Sequence, residues 1–199
     1  MPISIQDHGQ NNKISIDPQV MENSHAVILL HGSDNRISVA SGVSFLQGNI
    51  TLGEACSLTV GVDCRLAAIE IMASRNAHVA IGPRSEFTWS TRLYLHEPGY
   101  ITIGADCLVA SATLMMVSDM HSILDLTTGQ RINPAADIAI ADRVWLAHES
   151  TLLKGATIGS GSVVGYRAVV SGAIPANSLA VGSPARVVKT GISWDPRLL

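Results

Sequence analysis

The stretch IADRVWLAHESTLLKGATIGSGSVVGYRAVV, residues 140–170, decides the fold. An aliphatic side chain returns at every sixth position: Ile140, Leu146, Leu152, Ile158, Val164 and Val170. A second register runs with it, four residues after each aliphatic: Val144, Ser150, Ala156, Ser162 and Ala168, nearly all small. A period of six matches neither the 3.6 of a helix nor the 2 of a simple strand. It matches short strands joined by tight corners, each aliphatic pointing at a common axis. Three such sides close a triangular coil of about 18 residues.

Outward from this stretch the repeat loosens but continues. HGQNNKISI at 8–16 is echoed by HGSDNRISV at 31–39, an offset of 23 residues. Short strands recur as LTVG at 58–61, VAIG at 79–82 and ITIG at 101–104. Val39, Val60, Ile81 and Ile103 therefore follow one another at 21, 21 and 22 residues, as expected of coils with longer corners. Stacked coils about 4.8 Å apart make parallel sheets. The sequence predicts one all-β parallel solenoid over about residues 3–180, a domain of 1–181, and a C-terminal tail at 182–199 that packs on the solenoid or a neighbouring subunit. One segment, 117–136, has no six-step register and is rich in polar groups. A polar insertion in a strict repeat is a protruding loop, where function concentrates.

Composition narrows the function. The 199 residues are 47% hydrophobic but only 4% aromatic, which suits thin aliphatic layers. A net charge of −3 gives no basic excess, so nucleic acid is not an expected partner. The N-terminus shows no signal-peptide pattern and no apolar run reaches membrane-spanning length, so the expectation is a cytoplasmic protein without a membrane span. Cys56, Cys64 and Cys107 are odd in number and lack CxxC spacing. They read as reduced, buried, small hydrophobes.

Several blocks resemble one family. DMHSI at 119–123, TGQRIN at 128–133, VWL at 144–146, LLKG at 152–155, IGSG at 158–161, AIP at 173–175 and VGSPAR at 181–186 are similar to the hexapeptide-repeat acyltransferases. The nearest likeness is to bacterial capsule and polysialic acid O-acetyltransferases. It is close over about residues 100–195 and architectural before that. The resemblance implies a left-handed parallel β-helix, a homotrimer with active sites between subunits, acetyl-CoA as donor, and a sugar or polysaccharide acceptor. It implies no metal.

The chemistry names its own candidates. A sugar hydroxyl is a poor nucleophile at neutral pH and needs a base, and histidine is the usual one. His121 opens the polar loop, and the resemblance makes it the general base for direct attack on the thioester, without an acyl-enzyme. Asp119 would orient that imidazole. The resemblance implies that Trp145 packs close to the catalytic site, shaping and drying it. It also places the donor-binding and oxyanion amides near Ala147, Gly165 and Tyr166. Ser171 and Arg186 match positions that contact coenzyme A in the family, and Lys189 would add to the phosphate contact. Gly172 stands where the family commonly has lysine, with Arg167 as a possible substitute. Arg131 and Asn133 are candidate acceptor contacts, and His148 is expected to be exposed.

Three rivals share parts of this pattern. An amino-sugar or nucleotide-sugar N-acetyltransferase needs the same base and donor, but no N-terminal nucleotide-binding βαβ pattern is present. A zinc carbonic anhydrase on the same scaffold needs three histidine ligands, and the seven histidines form no close pair on the strict coils. His8 and His31 read instead as corner residues of the repeat. A purely structural solenoid leaves the His121 loop unexplained.

Overall fold

The computed structural model describes residues 2–199. The chain winds through three faces in fixed order. The first stacks Lys13–Ile16, Arg36–Val39, Ser57–Val60, Ala77–Ile81, Gly99–Ile103, Ile138–Ile140, Thr157–Ile158 and Ala173–Ile174 into an eight-stranded sheet, every neighbouring pair parallel. The second carries Glu86–Phe87, Leu108–Val109, Trp145–Leu146, Val163–Val164 and Ser178–Val181. The third carries Ser4–Asp7, Ala26–Leu30, Thr91–Leu95, Leu114–Met116, Thr151–Leu152 and Val169–Val170. Two long strands, Ser44–Glu54 and Arg65–Arg75, bend across the corner between these faces and fuse them into one 14-stranded sheet.

Both six-step registers point inward. Ile140, Leu146, Leu152, Ile158, Val164 and Val170 are all buried, and so are Val144, Ser150, Ala156, Ser162 and Ala168. The second set sits at the inner side of the corners, where the chain turns and a large side chain has least room. The corners themselves need left-handed backbone. Arg143, Glu149, Gly155, Gly161 and Arg167, again six apart, have φ of 55°, 59°, 78°, 70° and 53°. On the N-terminal coils the same conformation recurs at one corner as a column, Asp63, Arg84, Asp106 and Arg143, one residue per coil. Within it Arg84 Nε donates to Asp106 Oδ1 at 2.8 Å.

Coil length differs between the halves. Register partners on neighbouring N-terminal coils lie 21 to 23 residues apart, and those on C-terminal coils 18 or 16 apart. The His8 and His31 rings lie 6.4 Å apart on adjacent coils, each just after a third-face strand. The first coil adds an element beyond the expected strands. A short helix, Pro18–Asn23, occupies the second-face position, opened by Asp17 as its cap and Pro18 in its first turn. The three cysteines are buried and free, and burial raises each thiol, Cys107 to about 11.

The ladder is interrupted once. The Tyr100 amide donates to the Asp137 carboxylate, 37 residues away, and the Ala136 amide closes the base of the intervening loop on the Val117 carbonyl at 3.0 Å. The loop therefore leaves the corner between the third and first faces. At the other end, Arg186–Thr190 reverses to pair antiparallel with Ser178–Val181, and the Trp194 indole N–H donates to the Arg143 carbonyl at 2.7 Å. Among the described residues no helix is long and apolar enough to cross a membrane.

Candidate active site

The polar loop is held by a network centred on Asn133, which is buried. Its Nδ2 donates to the His121 carbonyl and to Asp119 Oδ2, both at 2.8 Å. Its Oδ1 accepts from the Ile123 amide at 2.7 Å and from Arg131 Nε at 3.2 Å. The two Arg131 terminal nitrogens each donate to one oxygen of Glu97 at 2.6 Å, and Ser118 Oγ closes on the same carboxylate. Lys154, from the next coil, donates to Asp119 Oδ2 at 2.5 Å. The fork geometry of guanidinium and carboxylate makes this a directional clamp rather than a loose ion pair. Hydrogen bonds from Arg131, then from Ser118, lower the Glu97 pKa to about 2. Lys154 and then Asn133 lower that of Asp119.

This network holds the backbone of His121 and leaves the exposed imidazole outside it. The acid beside it acts differently from the expectation. The Asp119 carboxylate bonds Lys154 and Asn133, not the imidazole, so it braces the loop. Arg131 and Asn133, expected as acceptor contacts, direct most of their donors and acceptors within the loop. Sequence reading missed Glu97 and Lys154. Their bonds to Arg131 and Asp119 span 34 and 35 residues, and only the closed coil brings them together.

The other candidates lie elsewhere on the triangular section. Ser171 is on the same corner as the loop, just after the strand Val169–Val170, exposed, one coil beyond Lys154. Trp145 is on the second face, its ring centroid 6.1 Å from that of Trp194. Arg186 and Lys189 are exposed on the reversed terminal strand. Ala147, Gly165 and Tyr166 lie at the corner between the second and third faces. There the Ala147 and Gly165 amides donate to Val164 and Ala180 carbonyls at 2.8 Å, so they belong to the ladder. The amides of His148 and Tyr166 are the ones without a backbone acceptor among the described residues. His148 is exposed, its ring stacked on Tyr166 at 5.7 Å, and its Nε2 is 3.2 Å from Glu149. Arg167 also pairs with Glu149 and lies over the Tyr166 ring, 5.0 Å from its centroid. One chain thus carries the His121 corner and the Trp145 face on different sides. Among the described residues no group of three or more His, Cys, Asp or Glu could hold a metal.

No protein-family model matches the chain. Individual proteins do. A protein of Escherichia coli (strain K12) named "Putative lipopolysaccharide biosynthesis O-acetyl transferase WbbJ" is 32% identical over 154 residues, 72% of each chain. This chain belongs to the hexapeptide-repeat acyltransferase family. The polysialic acid O-acetyltransferase of Escherichia coli O1:K1 is 30% identical over 125 residues. That match covers 63% of this chain but only 40% of the length of that relative. The crystal structure of the polySia specific acetyltransferase NeuO superposes with a TM-score of 0.90 at 26% identity, over 98% of this acyltransferase and 83% of that chain. The coil is the left-handed β-helix of these acetyltransferases.

Proposed function

We propose that this acyltransferase moves the acetyl group of acetyl-CoA to a sugar hydroxyl of a capsule or other cell-surface polysaccharide. The observation that carries the reading is the His121 loop: a backbone fixed by Asn133, with an imidazole left free on an exposed corner. The relatives named as O-acetyltransferases support the reaction class. In the reaction the His121 ring takes the proton of the acceptor hydroxyl as that oxygen attacks the thioester carbonyl carbon. The tetrahedral oxyanion needs fixed donors, and the unengaged amides of His148 and Tyr166 are the ones available. Collapse breaks the carbon–sulfur bond, and the thiolate of coenzyme A leaves with the proton that His121 had taken.

The separation of the two half-sites supports an assembly. A homotrimer sets the second face of one copy, with Trp145, against the His121 corner of the next. Ser171, Arg186 and Lys189 then flank the donor, the last two supplying cations for its phosphates. Acetyl-CoA supply makes the cytoplasm the working compartment.

The test is thiol release from acetyl-CoA in the presence of polysialic acid and of bacterial O-polysaccharides. Wild type is expected to turn over with at least one of them, and a folded His121→Ala variant is not. A His121→Ala variant with undiminished transfer overturns the base assignment. Mixing inactive His121→Ala and Trp145→Ala subunits is expected to restore part of the activity, and no recovery would place both residues in one chain's site.

A further inference from the structure

The four N-terminal coils carry a feature that the chemistry above does not use. Three surface cavities, of about 200, 360 and 270 Å³, share residues and wrap the corner between the second and third faces. Gln47 and Asn49 link the first to the second, and Trp89 links the second to the third. Trp89 is 54% exposed at their junction. Its indole N–H has no acceptor among the described residues, whereas that of Trp194 is bonded.

The walls are polar. On neighbouring coils of this half, Arg65 pairs with Glu86 and Arg84 with Asp106. Glu70 and Arg92 are register partners on neighbouring strands; no ion pair joins them, and both reach the Tyr94 hydroxyl. Both line the middle cavity with Gln47, Asn49 and Ser90. The Thr91 hydroxyl, in the same wall, is the one buried side-chain polar atom without a hydrogen-bond partner among the described residues.

An exposed indole beside carboxamides, a carboxylate and a guanidinium is the donor and acceptor set for a pyranose ring. The ring's apolar C–H face covers an aromatic, and its hydroxyls take the polar groups. The path also has a direction. Asn49, Glu70, Arg92 and Leu114 are consecutive register partners, and the chain leaves for the His121 loop just after Met116. The same coils are shared with NeuO, a polymer-specific relative by its name, over 98% of this chain.

We infer that this groove binds an extended segment of the acceptor polysaccharide, with Trp89 as the stacking platform, and feeds it along the third face toward the loop corner. The inference rests on the proposed acceptor class, but binding can be read without turnover. The experiment immobilises a panel of bacterial capsular and O-antigen polysaccharides, polysialic acid included. It measures retention of wild type, His121→Ala, Trp89→Ala and Arg92→Ala, with oligomeric state followed in parallel. Wild type and His121→Ala are expected to bind the same polymer equally, and Trp89→Ala about tenfold more weakly. Transfer to a short fragment of that polymer is expected to be unchanged in Trp89→Ala.

Equal retention of wild type and Trp89→Ala, or no retention of any polymer by wild type, overturns the groove. A change of oligomeric state in Trp89→Ala with unchanged binding also overturns it, and makes the face a contact between copies. Full transfer activity in His121→Ala with intact binding removes the catalytic reading and leaves the groove standing.

Discussion

The two halves of the solenoid solve the same problem differently. C-terminal coils use strands of two or three residues and turn a corner at every sixth position. N-terminal coils run 21 to 23 residues and let two strands of 11 residues bend through a corner. The strict half is rigid by repetition, which suits a site whose groups must be held in place. The loose half has room for grooves along one corner. On the proposed reading, the difference separates a region that does chemistry from one that presents a surface.

The largest expected effect breaks that division at its chemical end. His121→Ala should lower turnover by about 10²–10⁴-fold with unchanged circular dichroism and melting. Core truncation comes next. Leu146→Ala in the strict half and Leu66→Ala in the loose half both empty fully enclosed positions. Each should cost about 2–5 kcal/mol in urea unfolding. If the halves are energetically distinct, the Leu66 variant alone should show two transitions, since solenoid coils couple only to neighbours.

Third, Asn133→Ala should leave global melting nearly unchanged but lower turnover about tenfold by freeing the His121 backbone. Limited proteolysis of 117–136 gives the check. Acid tests the same clamp. The Glu97 pKa is depressed from 4.5 to about 2 in the folded state, so its contribution is complete above 4.5 and is lost as pH falls toward 2. Protease resistance of the loop should fall in that window, and Glu97→Gln should weaken the dependence, leaving the part due to Asp119. The smallest effect belongs to a corner. Ala112 has φ of 59°, and Ala112→Gly should raise the melting temperature by about 2 °C.

Legibility followed the same division. The six-step register placed the strict coils because an aliphatic at each turn is a local requirement, and Ile140 through Val170 are all buried as the register demands. The loop stood out because it lacked that register. Its internal bonds did not, since Glu97 and Lys154 reach their partners only across closed coils. Whether an amide is free also depends on the coil above: of Ala147, Gly165 and Tyr166 only the Tyr166 amide lacks a backbone acceptor, and the His148 amide joins it. The Pro18–Asn23 helix has an ordinary start signal in Asp17 and Pro18, but its six residues are too short for a helical period to stand out.

The corner column Asp63, Arg84, Asp106 and Arg143 has a consequence for how such a chain can grow. Its charges alternate in sign from coil to coil, so Arg84 lies between Asp63 and Asp106, and Asp106 is lowered in pKa by Arg84 first. Removing either inner coil, or duplicating any one of the four, sets like charge on like. Removing or duplicating two restores the sequence of signs. Along this edge the column acts as a parity check, and changes of length that preserve it come in pairs of coils.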